Sequence, residues 1–295
     1  MNASLLQKIF IKRRYILLLL SLFCLAIYLP GIADLPPFDR DESRFAQASK
    51  QMLETGDYID IRFQDHPRYK KPVGIYWLQA AAVSIFAKGD LNALWAYRLP
   101  SLLSAWIGVL FVFFFGEKFF CRRTGALAGL LLASSILLTT EAHLAKTDAA
   151  LLLCTVLTQG SLGIIYLQKE KKVVGYSLMF WLGLATGILI KGPVLPAVSG
   201  LTIAVLFIMD RNLTWLKQIN FLLGIPLLCI IVLPWLTAIY YLTDGAFYKA
   251  AVSGDMLAKV ARGQESHGAY PGYYLLLATA TLFPASLFMY FRKKE

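Results

Sequence analysis

Long apolar runs dominate this chain and limit what it can fold into. Eight of them, near residues 15–32, 99–116, 124–140, 149–167, 174–190, 194–209, 218–242 and 273–291, each approach the ~17–25 residues needed to cross a bilayer core. A mean hydropathy of +0.59 and 58% apolar residues are too high for an ordinary soluble domain. A membrane β-barrel would show short segments of alternating polarity instead. The expected fold class is therefore all-α: a polytopic helical membrane protein forming one transmembrane domain over residues 1–295.

The first run follows Lys8, Lys12, Arg13 and Arg14. It resembles a signal peptide in charge and length, but no small-x-small site follows it, so it reads as an uncleaved first helix. The four cysteines, Cys24, Cys121, Cys154 and Cys229, include no CxxC pair and mostly fall in apolar runs. They read as small membrane-buried side chains, not redox or metal groups.

The charge distribution orients the helices. Basic clusters at 8–14, 117–123, 169–172, 210–217 and 292–295 hold 15 of the 29 bases and only 4 of the 18 acids. The positive-inside rule puts them in the cytoplasm. The net charge of +11 thus reports topology, and no nucleic-acid partner is expected. Alternation then places four regions outside: a loop at 33–71, the turn at 141–148, the turn around Lys191, and a second loop at 244–272. This requires that 73–87, the shortest candidate, enter the membrane without crossing it. The outside regions contain Asp41, Glu42, Arg44, Lys70, Lys71, Lys146, Asp148, Lys191 and His267. Ionisable groups at membrane depth are costly, and several together suggest one site at the outer surface.

The stretch "PPFDRDESRFAQASKQMLETGDY" (36–58) is the most informative. Pro36-Pro37 stop a helix. Asp39 can cap a new one, with Glu42 three residues on in a capping-box arrangement. Gly56 supplies a left-handed end. Phe45, Ala48 and Met52 recur at helical spacing, so the segment reads as an amphipathic helix in the membrane interface. Asp41 and Arg44, three apart, share a face. On spacing alone two readings stay open. The pair either solvates the helix, or works chemically, the carboxylate taking a proton and the guanidinium holding a phosphate.

The whole phrase, followed by "RYKKPVGIYW", resembles the first external loop of the GT-C glycosyltransferases related to the protein O-mannosyltransferases. The likeness is greatest to the bacterial branch that includes the lipid A aminoarabinose transferase. "LAKTDAALLL", "LIKGPVLP", "LPWLTAIYY" and "SHGAYPGYYLL" resemble further family motifs, in family order across nearly the whole chain.

The resemblance implies a membrane enzyme of the cell envelope, an inverting hexosyl- or pentosyltransferase. It would move a sugar from a polyprenyl-phosphate donor to a lipid or protein acceptor, with a lipid A-type glycolipid leading. The site would face the periplasm from the bacterial inner membrane. Asp41 matches the family's catalytic carboxylate and would be the general base, with Glu42 beside it. Arg44 and Lys71 would hold the donor phosphate; Lys191 would either join them or snorkel to the headgroups, and Asp148 would either orient a basic side chain or cap the next span. Tyr69, Lys70 and His267 would support the site. No cofactor is implied. In the resembling branch, a His at the place of His267 can share a metal with an acid preceding the "KP" lysine. Here that place is Lys70, which opposes a cation, so no metal is expected. Asp39 is read only as a cap, so Asp39→Asn is expected to be nearly neutral.

Members of this branch are close to twice this length, with further membrane helices and a soluble C-terminal domain. Three accounts stay open: a split or truncated product, a minimal member, and a chain working with a second polypeptide that supplies the other half. Two rivals to the transferase are a lipid transporter or flippase, suggested by broken helices such as 189–196, and a non-catalytic subunit.

Overall fold

The computed structural model describes residues 12–37, 39–167, 173–251 and 272–290. Helix α1 (Arg13–Tyr28) buries one stripe, Ile16, Leu20, Cys24 and Tyr28, at four-residue spacing. The expected run to residue 32 stops early, because Pro30 cannot continue a helix. Helix α2 (Arg40–Thr55) has Asp39 as its N-cap and Gly56, at φ 73°, as its C-cap, the ends expected from the residues. It buries Glu42, Phe45, Ala48, Ser49 and Met52 along one side. A two-stranded antiparallel ribbon follows, β1 (Arg62–Phe63) with β2 (His66–Pro67).

The remaining helices are α3 (Gly74–Phe86), α4 (Leu94–Phe119), α5 (Arg122–Ala133), α6 (Ile136–Ala142), α7 (Asp148–Tyr166), α8 (Val174–Lys191) and α9 (Val194–Asp210), then a 3₁₀ turn at Thr214–Ile219, α10 (Phe221–Leu242), α11 (Ala246–Lys249), α12 (Tyr273–Thr281) and α13 (Leu287–Tyr290). Among the described residues four of them, α4, α7, α8 and α10, are long and apolar enough to cross a membrane. This is a multi-pass helical membrane protein.

Four of the eight expected spans depart from a single straight helix of crossing length, α1 among them with 16 residues. The 124–140 run is two helices, α5 and α6, bent by 62°. Ser134 and Ser135 cause the break. Their hydroxyls donate to Leu130 O (2.9 Å) and Leu132 O (2.8 Å), and Ser135 caps α6 by accepting from Leu138 N. The 273–291 run divides into α12 and α13 around Pro284. The 194–209 run is α9, a shorter apolar helix of 17 residues. Helix α3 has 13 residues, about 20 Å of helix, which falls short of a ~30 Å core.

The charges separate to the two ends of α4. At its C-terminal end Glu117 pairs with Arg13 of α1 (3.3 Å) and Arg122 of α5 (2.6 Å). At the same end of the bundle, the Tyr166 hydroxyl closing α7 donates to Asp210 closing α9. At the opposite end, Arg98 of α4 is fully buried among α2, the loop before it and the turn before α7. Arg98 and Glu117 lie on one helix of 26 residues, about 28 Å apart along its axis.

Exposed Cys121, between α4 and α5, is a native probe of orientation. Its hydrogen bond with the Thr124 hydroxyl (3.2 Å) holds its thiol below the usual pKa, which favours the reactive thiolate. In a variant retaining only Cys121, an impermeant maleimide is expected to leave intact cells unlabelled. Moving the single cysteine to the ribbon by Gln64→Cys should give labelling. Labelling of Cys121 from outside would reverse the orientation.

Candidate active site

Asp39 begins the site. One oxygen, Oδ1, accepts from the backbone N–H of Asp41 (2.6 Å) and of Glu42 (3.4 Å). The other, Oδ2, receives Lys146 Nζ at 3.2 Å. Asp39 is therefore both a cap and half of an ion pair, which corrects its reading as a cap alone. Lys146 also pairs with Glu141 (3.7 Å). Partial burial opposes the charge of each partner and is outweighed. The Asp41 N–H and Lys146 hold Asp39 below the usual carboxylate range, and Glu141 and Asp39 push Lys146 above the usual lysine range. Sequence reasoning listed Lys146 among the outer charges but gave it no role.

With its cap supplied by Asp39, Asp41 is free to point outward. It pairs with Arg44 at 3.5 Å, one helical turn on, and both side chains keep partial exposure (49% and 32%). They share a face as expected.

Glu42, expected to close a capping box and to work beside Asp41, is turned the other way. Its side chain is fully buried. Arg98 Nε donates to Oε1 at 2.7 Å and Nη2 to Oε2 at 3.2 Å, and the Ala145 N–H donates to Oε1 at 3.1 Å. The same guanidinium donates to the carbonyls of Ile32, Leu35 and Pro36. No capping box forms, because the carboxylate that would reach back to the cap is committed to Arg98. Glu42 is a buried tether between elements. It fixes the N-terminal turn of α2, and so Asp41, against α4 and the turn holding Lys146.

The second half of the site comes from the loop before α3 and the α8–α9 turn. Gly74 lets these meet, since a Cβ there would lie 2.8 Å from the Leu189 backbone. The closeness places Pro72, and with it Lys71, beside Gly192 at the end of α8, where an added Cβ would lie 3.9 Å from the Pro72 ring. Lys191 Nζ pairs with Asp148 Oδ1 at 2.5 Å. Asp148 thus orients a basic side chain, and it is the first residue of α7, not its cap, which is Thr147. Tyr69 donates to Asp60 (3.0 Å), and burial together with that bond pushes its hydroxyl up to about 12, so it stays neutral. Lys70 is exposed. His267 lies outside the described residues.

Between α5–α6 and α7 lies a cavity of about 560 Å³, lined by Leu132, Leu138, Leu152 and Leu282, with Glu141 and Asp148 at its polar part. It lies next to the Lys146 and Lys191 pairs through those two acids.

Arg68 also entered the site unforeseen. Its guanidinium stacks over the Phe45 ring at 5.1 Å and donates to the Tyr76 hydroxyl at 3.2 Å. Phe45 follows Asp41 by one turn of α2, so Arg68 lies along the same helix as the Asp41–Arg44 pair. The only sequence signal was an arginine heading "RYKKP".

Known proteins resemble this chain over most of its length. The chain is 27% identical, over 87% of its length, to an undecaprenyl phosphate-alpha-4-amino-4-deoxy-L-arabinose arabinosyl transferase from Aeromonas salmonicida, covering 46% of that protein. It is also 27% identical, over 94% of its length, to one from Yersinia pestis, covering 50% of it. It thus spans about half the length of the curated relatives it matches. The crystal structure of ArnT from Cupriavidus metallidurans bound to undecaprenyl phosphate superposes with a TM-score of 0.81 at 21% identity, and the apo form with 0.77 at 20%. These cover 91% of this chain and 49% and 48% of theirs, and they share its fold, a GT-C type transmembrane bundle. A family model, dolichyl-phosphate-mannose-protein mannosyltransferase, matches residues 70–237. That match takes in the "KP" loop, α3 to α9 and most of α10, more than half of the chain, and on it the chain belongs to the dolichyl-phosphate-mannose-protein mannosyltransferase family.

Proposed function

We propose that the chain carries the catalytic loop of an inverting membrane glycosyltransferase. It moves a sugar from a polyprenyl-phosphate donor to an envelope acceptor, a lipid A-type glycolipid first among them, at the outer face of the bacterial inner membrane. The observation that carries this reading is the outward Asp41–Arg44 pair on α2, held by the buried Glu42–Arg98 pair. The similarity to undecaprenyl-phosphate-dependent arabinosyl transferases supports it.

In this reading residues 1–295 act as one transmembrane domain, with external loops at 33–71 and 244–272. Asp41 takes the proton of the acceptor hydroxyl or phosphate. The freed oxygen attacks the anomeric carbon from the side opposite the phosphate. The bond from that carbon to the phosphate oxygen breaks, and the polyprenyl phosphate leaves with the electron pair. One displacement gives inversion. Arg44 and Lys71 stabilise charge growing on the leaving phosphate. Lys191, already neutralised by Asp148, contributes less. The apolar cavity offers the donor's tail a place beside the charged cluster. A second polypeptide supplying what the other half of the relatives supplies would complete the acceptor side.

The test is release of polyprenyl phosphate from a radiolabelled lipid-linked sugar by the purified membrane protein, with lipid A as acceptor. A transporter would leave the donor intact, and an inert subunit would do nothing. Arg44→Ala and Lys71→Ala are expected to raise the donor KM or lower turnover about 10-fold or more, since hydrogen bonds to charged groups contribute about 1.5–3 kcal/mol. Lys71→Arg should keep more activity than Lys71→Ala. Two fully active alanine variants would remove both residues from the site.

A further inference from the structure

We propose that Arg68 is an anion-binding residue, taking phosphate oxygens of a lipid substrate beside Asp41; this rests on the transferase reading above. The inference starts from an imbalance between two buried arginines. Arg98 is fully buried and makes five side-chain hydrogen bonds, two of them to the carboxylate of Glu42. Arg68 is 8% exposed, yet its guanidinium makes one hydrogen bond, from Nε to the Tyr76 hydroxyl. No carboxylate pairs with it among the described residues.

An arginine stays charged at any working pH and has five N–H donors. Four of those on Arg68 are thus left on Nη1 and Nη2. The bulk of the side chain is buried, but neither Nη nitrogen is sealed from solvent, so stacking on Phe45 holds a charged fork that opens to the surface. A cation held in place with its donors open and no carboxylate beside it, among the described residues, suits an incoming anion. The shape of the free end points to phosphate. The Phe45 ring covers one face of the guanidinium and Tyr76 takes the inner nitrogen, leaving the planar Nη fork, which matches two phosphate oxygens. Phe45 and Tyr76 pack together at 5.4 Å and hold that fork in place. The Tyr76 hydroxyl, which accepts from Arg68, keeps its own proton to donate. The anion would then lie near Asp41, one helical turn before Phe45, and its partner Arg44. The phosphate belongs either to the departing polyprenyl phosphate or to a phosphorylated acceptor lipid.

Thermal unfolding of the full chain in detergent, titrated with undecaprenyl phosphate, undecaprenol or lipid A, tests the assignment. Wild type should be stabilised by undecaprenyl phosphate and not by undecaprenol. Arg68→Gln should melt no lower than wild type without lipid, because the uncompensated charge is gone. It should also need at least about 10-fold more of one phosphate-bearing lipid for the same shift. Weakening toward undecaprenyl phosphate assigns the donor phosphate, and weakening toward lipid A assigns the acceptor's. Arg68→Lys keeps the charge without the fork and should fall between.

If Arg68→Gln melts lower than wild type and responds equally to both lipids, Arg68 is a packing residue and the proposal fails while the transferase reading stands. If wild type itself responds to neither phosphate-bearing lipid, the transferase reading fails and takes the proposal with it. Should Arg68→Gln not fold, Arg68→Lys decides: titrations matching wild type overturn the proposal.

Discussion

Asp41→Asn is expected to abolish sugar transfer, by at least about 100-fold, in a protein that inserts and melts like wild type. The structure separates the two effects. The N-terminal cap of α2 is Asp39, so Asn at position 41 removes no cap. What it removes structurally is a half-exposed pair with Arg44, an interaction that contributes about 0–1 kcal/mol. What it removes chemically is the proton acceptor, because an amide takes up no proton at neutral pH. The comparison variant is Asp39→Asn. Asn still offers an oxygen to the Asp41 N–H but leaves Lys146 with only Glu141, so a moderate loss of stability and activity is expected where sequence reasoning expected none. The Asp39–Lys146 pair stays charged across about pH 5–9. Asp39's contribution is present above its unfolded pKa and is lost as pH falls through its lowered folded pKa. That of Lys146 is present below its unfolded pKa and is lost as pH rises through its raised folded pKa. Full activity of Asp41→Asn with normal donor cleavage would leave Asp41 and Arg44 as surface charges and nothing more.

Arg98→Met is expected to give the largest loss of stability, about 3–5 kcal/mol. It strands the Glu42 carboxylate, fully buried, and takes the donors from the Ile32, Leu35 and Pro36 carbonyls. Activity should fall with it, since the same bonds hold the first turn of α2. The double variant Glu42→Leu/Arg98→Met should recover part of the stability, because neither charge is left unpaired. Detergent-solubilised thermal unfolding of the wild type, both single variants and the double variant measures the coupling. An Arg98→Met protein that melts with wild type would show that the pair is not what anchors α2. Glu42→Gln adds a distinction. If it lost turnover while keeping its melting temperature, Glu42 would have a chemical role that its buried placement argues against.

What was readable from the residues was local. Asp39 and Gly56 define the ends of α2 through hydrogen bonds and φ angles within a few residues. The Asp41–Arg44 pair follows from helical spacing. The Lys191-Gly192-Pro193 turn shows in the breaking residues themselves. The resemblance carried by "RDES", "RYKKP" and "LIKGPVLP" extended this to family and site. Membrane character came from the apolar runs, though their bounds did not survive everywhere. A hydropathy window averages over Ser134-Ser135 and over Pro284, while hydroxyls and a ring act at single residues.

The sequence by itself determined that the chain is a helical membrane protein, where the outer helix α2 begins and ends, and that Asp41 and Arg44 share a face. Only the tertiary structure decided which carboxylate meets which cation. Glu42 and Arg98 are 56 residues apart, Asp39 and Lys146 are 107 apart, and Asp148 and Lys191 are 43 apart. Capping and i,i+3 pairing are settled by one helical turn, so they are written in short words. A long-range ion pair depends on which helix faces pack together, as when Gly74 admits the Leu189 backbone at a distance no larger residue would tolerate. Spacing alone put Glu42 in a capping box and gave no signal for Arg68. Packing buries both, one against a partner and the other, among the described residues, without a carboxylate to meet it.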